Sequence, residues 1–540
     1  MRFVTDRLPP RALVAALALL AAACSERGPV GPAPGAGIAR DEIGIAAFTG
    51  NIRIGVVPSA SSVTIGSGAD YTIADKATGA VLLTGSAGTA TVTLASVSQT
   101  ITKYRLQVMC GSAAAVDARK AAAEALGHVT LTEPIAACTR LYIGEFDATA
   151  SFTVRNNYRN LLISQGLAAT DSFWKLHTIV LSAAAYRVTR GPDVVDSPNP
   201  VVLTSSDGIV SINGVRYRGV AEVRTNGSGV LLAGVNELPM EEYLYGVVPR
   251  ELGPIAFPLL EAQKAQAVAA RTYALSGIGK RASEGYDLLP TTSDQVYGGY
   301  DAEYPLSTQA VNETRGIAAT YEGKLISALY SSTTGGHTAD NEEAYNSVAI
   351  PYLRGIPDAE RGAAMEHVPS LDVFRAAANP RSLRAERNGD FEGDWSRYHR
   401  WVIDWTAQEI SQVVSAYAGQ DVGKVLAVNV TERGPSGRAL RIEYVTEAGT
   451  FTDTKDRIRS SLRYYNASNT LTSLPSTLFF IEPVLNPGTG TVTGFVAYGG
   501  GFGHGVGLSQ TGAVGMAERG HTYEEILKHY YQGIALEQWY

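Results

Sequence analysis

Charged residues are scarce in this 540-residue chain: they make up 18% of it, and 45 basic against 52 acidic side chains leave a net charge of −7. That balance excludes a protein whose affinity comes from neutralising phosphates, so nucleic acid is not an expected partner. Cysteine is scarcer still, at three residues; no Cys/His spacing reads as a structural zinc site, and there is no His-Glu-x-x-His. The glycine run near the end has neither a Walker lysine nor a G-x-G-x-x-G spacing, which leaves nucleotide binding unsupported. Beyond the first 25 residues no segment is long and apolar enough to span a bilayer. What is there is 45% hydrophobic residues, enough for sizeable cores, which excludes disorder and collagen-like repetition. With 56 Gly, 24 Pro and 27 Tyr among runs of Val, Thr and Ser, the chain is expected to be β-rich and multidomain, of the α+β class.

Arg2, Arg7 and Arg11 precede an apolar run at residues 12–23 that has the length of a signal-peptide core, which implies export. Cys24 follows directly. With Leu20-Ala21-Ala22-Ala23 before it, the segment resembles a bacterial lipoprotein processing site, which would leave a diacylated Cys24 as a membrane anchor in the cell envelope. Lipoboxes usually place Leu where this chain has Ala21, and ordinary cleavage after Ala23 is the other reading. Residues 24–44 contain ERGPVGPAPGAGIA, a Pro/Gly tether. With Cys24 assigned to the lipid, Cys110 and Cys138 remain as a candidate disulfide, which an oxidising envelope permits; two buried free thiols are the alternative.

Residues 45–100 alternate apolar and polar positions between Gly, Asp and Ser, and are expected to form a small β-module. Residues 101–182 read strand (YRLQVMCGS), helix (AAVDARKAAAEALG), strand, strand (RLYIGEF), helix (VRNNYRNLLISQG), strand. This βαββαβ pattern resembles the SPOR domain, which implies binding to glycan strands stripped of their peptides. Residues 183–540 form the remaining domain, with a variable insertion around 357–475. Asn213-Gly214 and Asn226-Gly227 are hairpin turn signals, and residues 258–276 read as a long, Ala-rich helix that should pack closely against its neighbours.

Four ordered stretches carry the candidate chemistry: ELPMEEYLYGVVPREL (237–252), EAQKAQAVAARTYAL (261–275), LYSSTTGGHTADNEEAY (329–345) and GGGFGHGVGLSQTGAVGMAERGHTYEEILKHYYQG (499–533). Glu251 is placed after an apolar segment, YLYGVV, expected as a strand, where an acid can project into a cleft; Leu252 and Phe257 would help keep it protonated. Together the four stretches resemble the SpoIID/LytB family, over roughly residues 200–536. The resemblance implies action on peptidoglycan, as a lytic transglycosylase or as a non-catalytic enhancer of an N-acetylmuramoyl-L-alanine amidase. It also implies that Glu251 is the catalytic acid and base.

Lys264 and Arg271 share a helix face and are candidates for binding sugar hydroxyls, as are Ser332, Gly335, Gly336 and His337 in one loop and His504, Ser509 and Gln510 in another. Structural roles for Lys264, Arg271 and His337 are the alternative. A hydrolase would need a second carboxylate, for which Glu241, Glu242 and Asp294 are candidates. Some family members have His and Cys zinc ligands where this chain has Ser293 and Asp294, so no metal or other cofactor is expected.

Overall fold

A computed structural model describes residues 50–360, 390–392 and 395–540, with side chains except at 96–101 and 179–184. The signal peptide, Cys24, the tether and most of the charged stretch near residues 375–397 lie outside the described residues. The chain divides into two units, one holding the described residues up to Val92 with Pro200–Tyr540, the other Thr93–Asn199. The first opens with β1 (Asn51–Ala60) and β2 (Ser62–Asp75), whose alternate residues Ile52, Ile54, Val63, Ile65 and Ile73 are fully buried, as a half-buried sheet requires. β3 (Val81–Gly111) then carries the chain into the second unit.

Within the second unit the elements run from the end of β3 through α1 (Ala113–Ala125), β4 (Thr130–Pro134), β5 (Thr139–Asp147), α2 (Phe152–Ser164), β6 (Phe173–Arg190) and β7 (Asp193–Ser197). The sheet order β6-β3-β5-β4 places β3 and β5 at the centre, paired antiparallel. Leu106, Leu141 and Ile143 from those strands close a core with Val116 and Ala123 of α1 and Leu162 of α2. Cys110 and Cys138 are joined in a disulfide, with Cα atoms 5.7 Å apart.

The first unit resumes with β8 (Val201–Ser205), β9 (Ile209–Ile212), β10 (Val215–Arg218), β11 (Val220–Thr225) and β12 (Leu232–Pro239). Asn213 and Gly214 turn β9 into β10, both at positive φ, as the two-residue hairpin demands. β1 pairs antiparallel with β12, Asn51 opposite Pro239, and β2 pairs with β8. Residues 50–92 are therefore not the separate module that their alternation suggested: their strands complete the sheet begun by residues 201–239, a long-range pairing that local periodicity cannot disclose.

α3 (Met240–Glu251), α4 (Leu260–Ser276) and α5 (Pro305–Glu313) follow, then β13 (Ile317–Tyr321) and β14 (Tyr330–Ser331). The YLYGVV segment is helical, not extended. Met240, Tyr243, Leu244, Val247 and Val248 are all buried, and their spacing is that of one helix stripe, which overrides the strand preference of Tyr and Val. α4 is buried on nearly every face from Ala262 to Leu275, its alanines letting α3, α5 and two C-terminal helices approach.

β15 (Trp401–Thr406), α6 (Ala407–Ala418), β16 (Val425–Arg433), β17 (Ala439–Thr446), β18 (Gly449–Thr454), β19 (Phe479–Leu485) and β20 (Val492–Gly499) enclose a further core around Trp405, Ile442, Tyr444 and Phe495. The chain closes with β21 (Leu508–Ser509), α7 (Gln510–Glu518), α8 (Tyr523–Tyr530) and β22 (Ala535–Gln538). β21 runs parallel to β14, pairing Tyr330 with Leu508 and Ser331 with Ser509. That pairing brings the third and fourth sequence stretches side by side.

Candidate active site

Glu251 is the last residue of α3 and is partly exposed. Its Oε1 accepts the Val296 N–H at 2.6 Å and its Oε2 the Gln510 Nε2 at 3.5 Å; the Tyr330 hydroxyl supplies another hydrogen bond. The third and fourth stretches thus meet the first at one carboxyl, joined there by Val296 from the segment between the second and third. No ion pair holds it among the described residues. Burial is the largest influence on its pKa and pushes it up to about 7, against the downward pull of its hydrogen bonds and of the Arg250 charge. The C-terminal end of a helix also disfavours a negative charge there.

The donors around it are held in turn. Gln295 gives its Nε2 protons to the Ala270 carbonyl and to the Tyr330 oxygen, each at 3.1 Å, while its Oε1 accepts from the Tyr243 hydroxyl at 3.1 Å. Because the Tyr330 oxygen already accepts from Gln295, its own proton is directed at Glu251. Gln510 also reaches Gln266 Oε1 at 3.3 Å, and the buried Gln266 Nε2 has no partner among the described residues, an unmet donor of the kind that water or a ligand satisfies. Sequence reasoning did not single out Tyr330 or Gln295. The signals were Tyr330 just ahead of the hydroxyl-rich loop, and Gln295 beside Val296 in the SDQVYGG segment.

The carboxyl's surroundings also fit a sequence kinship. The profile of the family described as "Stage II sporulation protein" matches residues 230–321, which include Glu251, α4 and Val296. A second, described as a domain of unknown function, matches residues 339–507. The chain is 30% identical over 319 residues to the stage II sporulation protein D of Bacillus subtilis, a match covering 56% of this chain and 76% of that protein. The chain belongs to the SpoIID family. It is also 32% identical over 335 residues to an uncharacterized protein of Brachyspira hyodysenteriae, covering 62% of this chain and 75% of the other. A third relative, the amidase enhancer of Bacillus subtilis, is 28% identical over 346 residues, 62% of this chain and 45% of that protein, so the match spans less than half of that relative.

In this SpoIID-family chain the other candidate residues divide. Gln510 lies at Glu251. Ser332 is adjacent, its carbonyl accepting the Thr511 N–H and hydroxyl, each at 3.0 Å. Arg271 is not available to a sugar: it is fully buried, bound through two nitrogens to Glu241 at 3.0 and 2.6 Å and to the Val311 and Ile317 carbonyls. Lys264 is engaged by Glu261 at 2.9 Å and Glu313 at 2.8 Å.

Gly335 and Gly336 are buried, at φ of +79° and +101°, and a Cβ on Gly335 would lie 2.7 Å from the Gly500 backbone. These glycines let two loops of the protein touch, so the close approach expected of a ligand is occupied by residues 500–501. His337 is buried, bonded to the Thr338 carbonyl at 2.6 Å, and burial lowers its pKa. His504 faces Tyr345, with ring centroids 5.7 Å apart, and its Nδ1 accepts the Val506 N–H. Ser509 is fully buried and caps α7.

Holding these loops is a knot of buried acids that the sequence did not reveal. Glu392 accepts from Gly335 N–H at 2.9 Å, His399 Nδ1 at 2.8 Å and the Ser509 hydroxyl at 3.0 Å. Asp358 accepts from the Thr334 and Tyr530 hydroxyls. Burial together with the neighbouring Glu392 charge raises the Asp358 pKa; burial would raise Glu392 too, but its bonds with His399 and Thr334 hold it low.

The alternative carboxylates stand apart from Glu251 or are paired with cations. Glu241 is locked on Arg271, and Glu241 and Glu242 stand at the far end of α3 from Glu251, about 14 Å away along the axis. Asp294 is paired with Lys280 and Arg281 and also accepts from Leu289 N–H. A carboxylate already neutralised by two cations, beside a serine, does not fit a metal ligand set.

Proposed function

We propose that this SpoIID-family chain is a lytic transglycosylase of bacterial peptidoglycan, cutting between N-acetylmuramic acid and N-acetylglucosamine and leaving 1,6-anhydro-muramic ends. The observation that carries this reading is Glu251: a largely desolvated carboxyl on a partly exposed residue, free of ion pairs among the described residues, whose pKa lies at about 7. Such a group serves equally as donor and acceptor of a proton near neutrality. Protonated Glu251 gives its proton to the glycosidic oxygen as the C1–O bond breaks. The resulting carboxylate then takes the proton of the muramic 6-hydroxyl as that oxygen attacks C1, closing the anhydro ring and restoring the acid. No water is consumed and no second carboxylate is needed, in keeping with Glu241 and Asp294 being held by cations and Glu242 standing at the far end of α3.

The substrate we infer is glycan stripped of its peptides. Residues 101–182, which lie within the unit of residues 93–199 and follow a βαββαβ order, are read as a SPOR-like module that holds such strands and raises their effective concentration at Glu251. Export by the N-terminal signal and anchoring at Cys24 would place the enzyme in the cell envelope; among the described residues no helix is long and apolar enough to cross a membrane. A second reading, a non-catalytic wall protein that stimulates an amidase, is favoured by the amidase enhancer among its relatives. Digestion of purified denuded glycan with mass analysis separates them: anhydro ends support the transglycosylase, reducing ends a hydrolase, and no new ends the enhancer.

A further inference from the structure

We infer that Trp395 and Phe257 form an aromatic platform on which a pyranose ring of the glycan stacks, a saccharide subsite beside Glu251; this rests on the reading of Glu251 above. Trp395 is 41% exposed, and its ring lies against that of Phe257 with centroids 5.2 Å apart. Trp395 thus turns part of an apolar ring to solvent while its other side rests on Phe257, which packs in turn on Leu252, Ala262 and Val514.

Its position is fixed from two sides. Phe257 ends a short turn that begins just after Glu251: the Phe257 N–H bonds the Gly253 carbonyl at 3.0 Å, and the buried Gln263 amide ties the Leu252 and Phe257 carbonyls together at 2.9 and 3.4 Å. On the other side Ser396 meets the Thr333 hydroxyl at 3.5 Å, and Thr333 meets Thr511, the neighbour of the Gln510 that bonds Glu251. The platform is thus joined to the carboxyl's surroundings through both of its ends, on one side by way of the buried Ser396, Thr333 and Thr511 hydroxyls.

That combination selects a sugar over a protein partner. A pyranose offers a face of C–H bonds, which the negative face of an aromatic ring attracts, and an edge of hydroxyls and a glycosidic oxygen, which the partly exposed Glu251 can meet. Trp395 belongs to the region matched as a domain of unknown function, not to the segment matched as stage II sporulation protein, so this region contributes to substrate selection.

The test is binding of purified denuded glycan strands by the full-length protein carrying Glu251→Gln, which prevents turnover, alone and with Trp395→Ala or Trp395→Phe. Trp395→Ala should weaken binding about ten-fold or more, and Trp395→Phe should recover most of it, with both variants melting like the parent. In the wild-type background Trp395→Ala should raise KM more than it lowers kcat. Parent-like binding by Trp395→Ala overturns the platform and leaves the role of Glu251 intact. So does unchanged glycan binding with lost stimulation of an amidase, which would make the rim a protein-docking surface. A parent that binds no glycan overturns the platform together with the reading on which it rests.

Discussion

Glu251 keeps its proton up to about pH 7 because ionising it would put a charge into a largely desolvated place, and this has a measurable cost in stability. The unfolded chain ionises this group near 4.5, so between pH 4.5 and 7 the folded state binds more protons than the unfolded one and stability falls as pH rises. The loss amounts to about 3 kcal/mol and persists above pH 7. Glu251→Gln should therefore be more stable than wild type at pH 8 and not at pH 4, measured by urea unfolding, while losing end-forming activity by about 100-fold or more. Tyr330→Phe removes a donor that favours the carboxylate. Its expected effect is an upward shift of the pH–kcat/KM profile with the fold intact; an unmoved profile would show that Tyr330 does not bear on Glu251.

The α3–α4 pair shows what a helix can hide from a sequence reading. Arg271 joins the two through Glu241, deep in the protein, and removing only the arginine leaves an uncompensated buried carboxylate. Arg271→Met should cost about 3 to 5 kcal/mol by chemical denaturation, and adding Glu241→Met should recover most of that, with KM for glycan unaffected in the folded fraction. The sequence showed Arg271 and Lys264 on one helix face but could not say that this face looks inward, since α4 is buried nearly all round and lacks a polar side. Glu251 was singled out in the sequence as an acid near the end of the first of four ordered stretches. Tyr330 and Gln295 were not, because their value comes from the parallel β14–β21 pairing and from a contact to α3, both of long range. The YLYGVV error has the same root: Tyr and Val favour strands locally, whereas the buried stripe of α3 is defined by its neighbours.

Across the whole chain the two units are stabilised differently. The larger relies on apolar cores and on β1–β12 pairing between residues far apart in sequence, while the unit of residues 93–199 also carries the Cys110–Cys138 bond. That bond closes a sequence separation of 28 residues, worth about 3 to 4 kcal/mol by loop-closure entropy. Reduction, or Cys110→Ala with Cys138→Ala, should lower the calorimetric transition of this unit by an equivalent amount and weaken retention on denuded glycan. The claim that matters most for the molecule is that one carboxyl completes the reaction without water. Purified denuded glycan digested in water enriched in oxygen-18 tests it directly by mass spectrometry of the new ends: the account predicts 1,6-anhydro-muramic ends carrying no label, absent with Glu251→Gln. Labelled reducing ends, or unlabelled anhydro ends still formed at the wild-type rate by that variant, would contradict it.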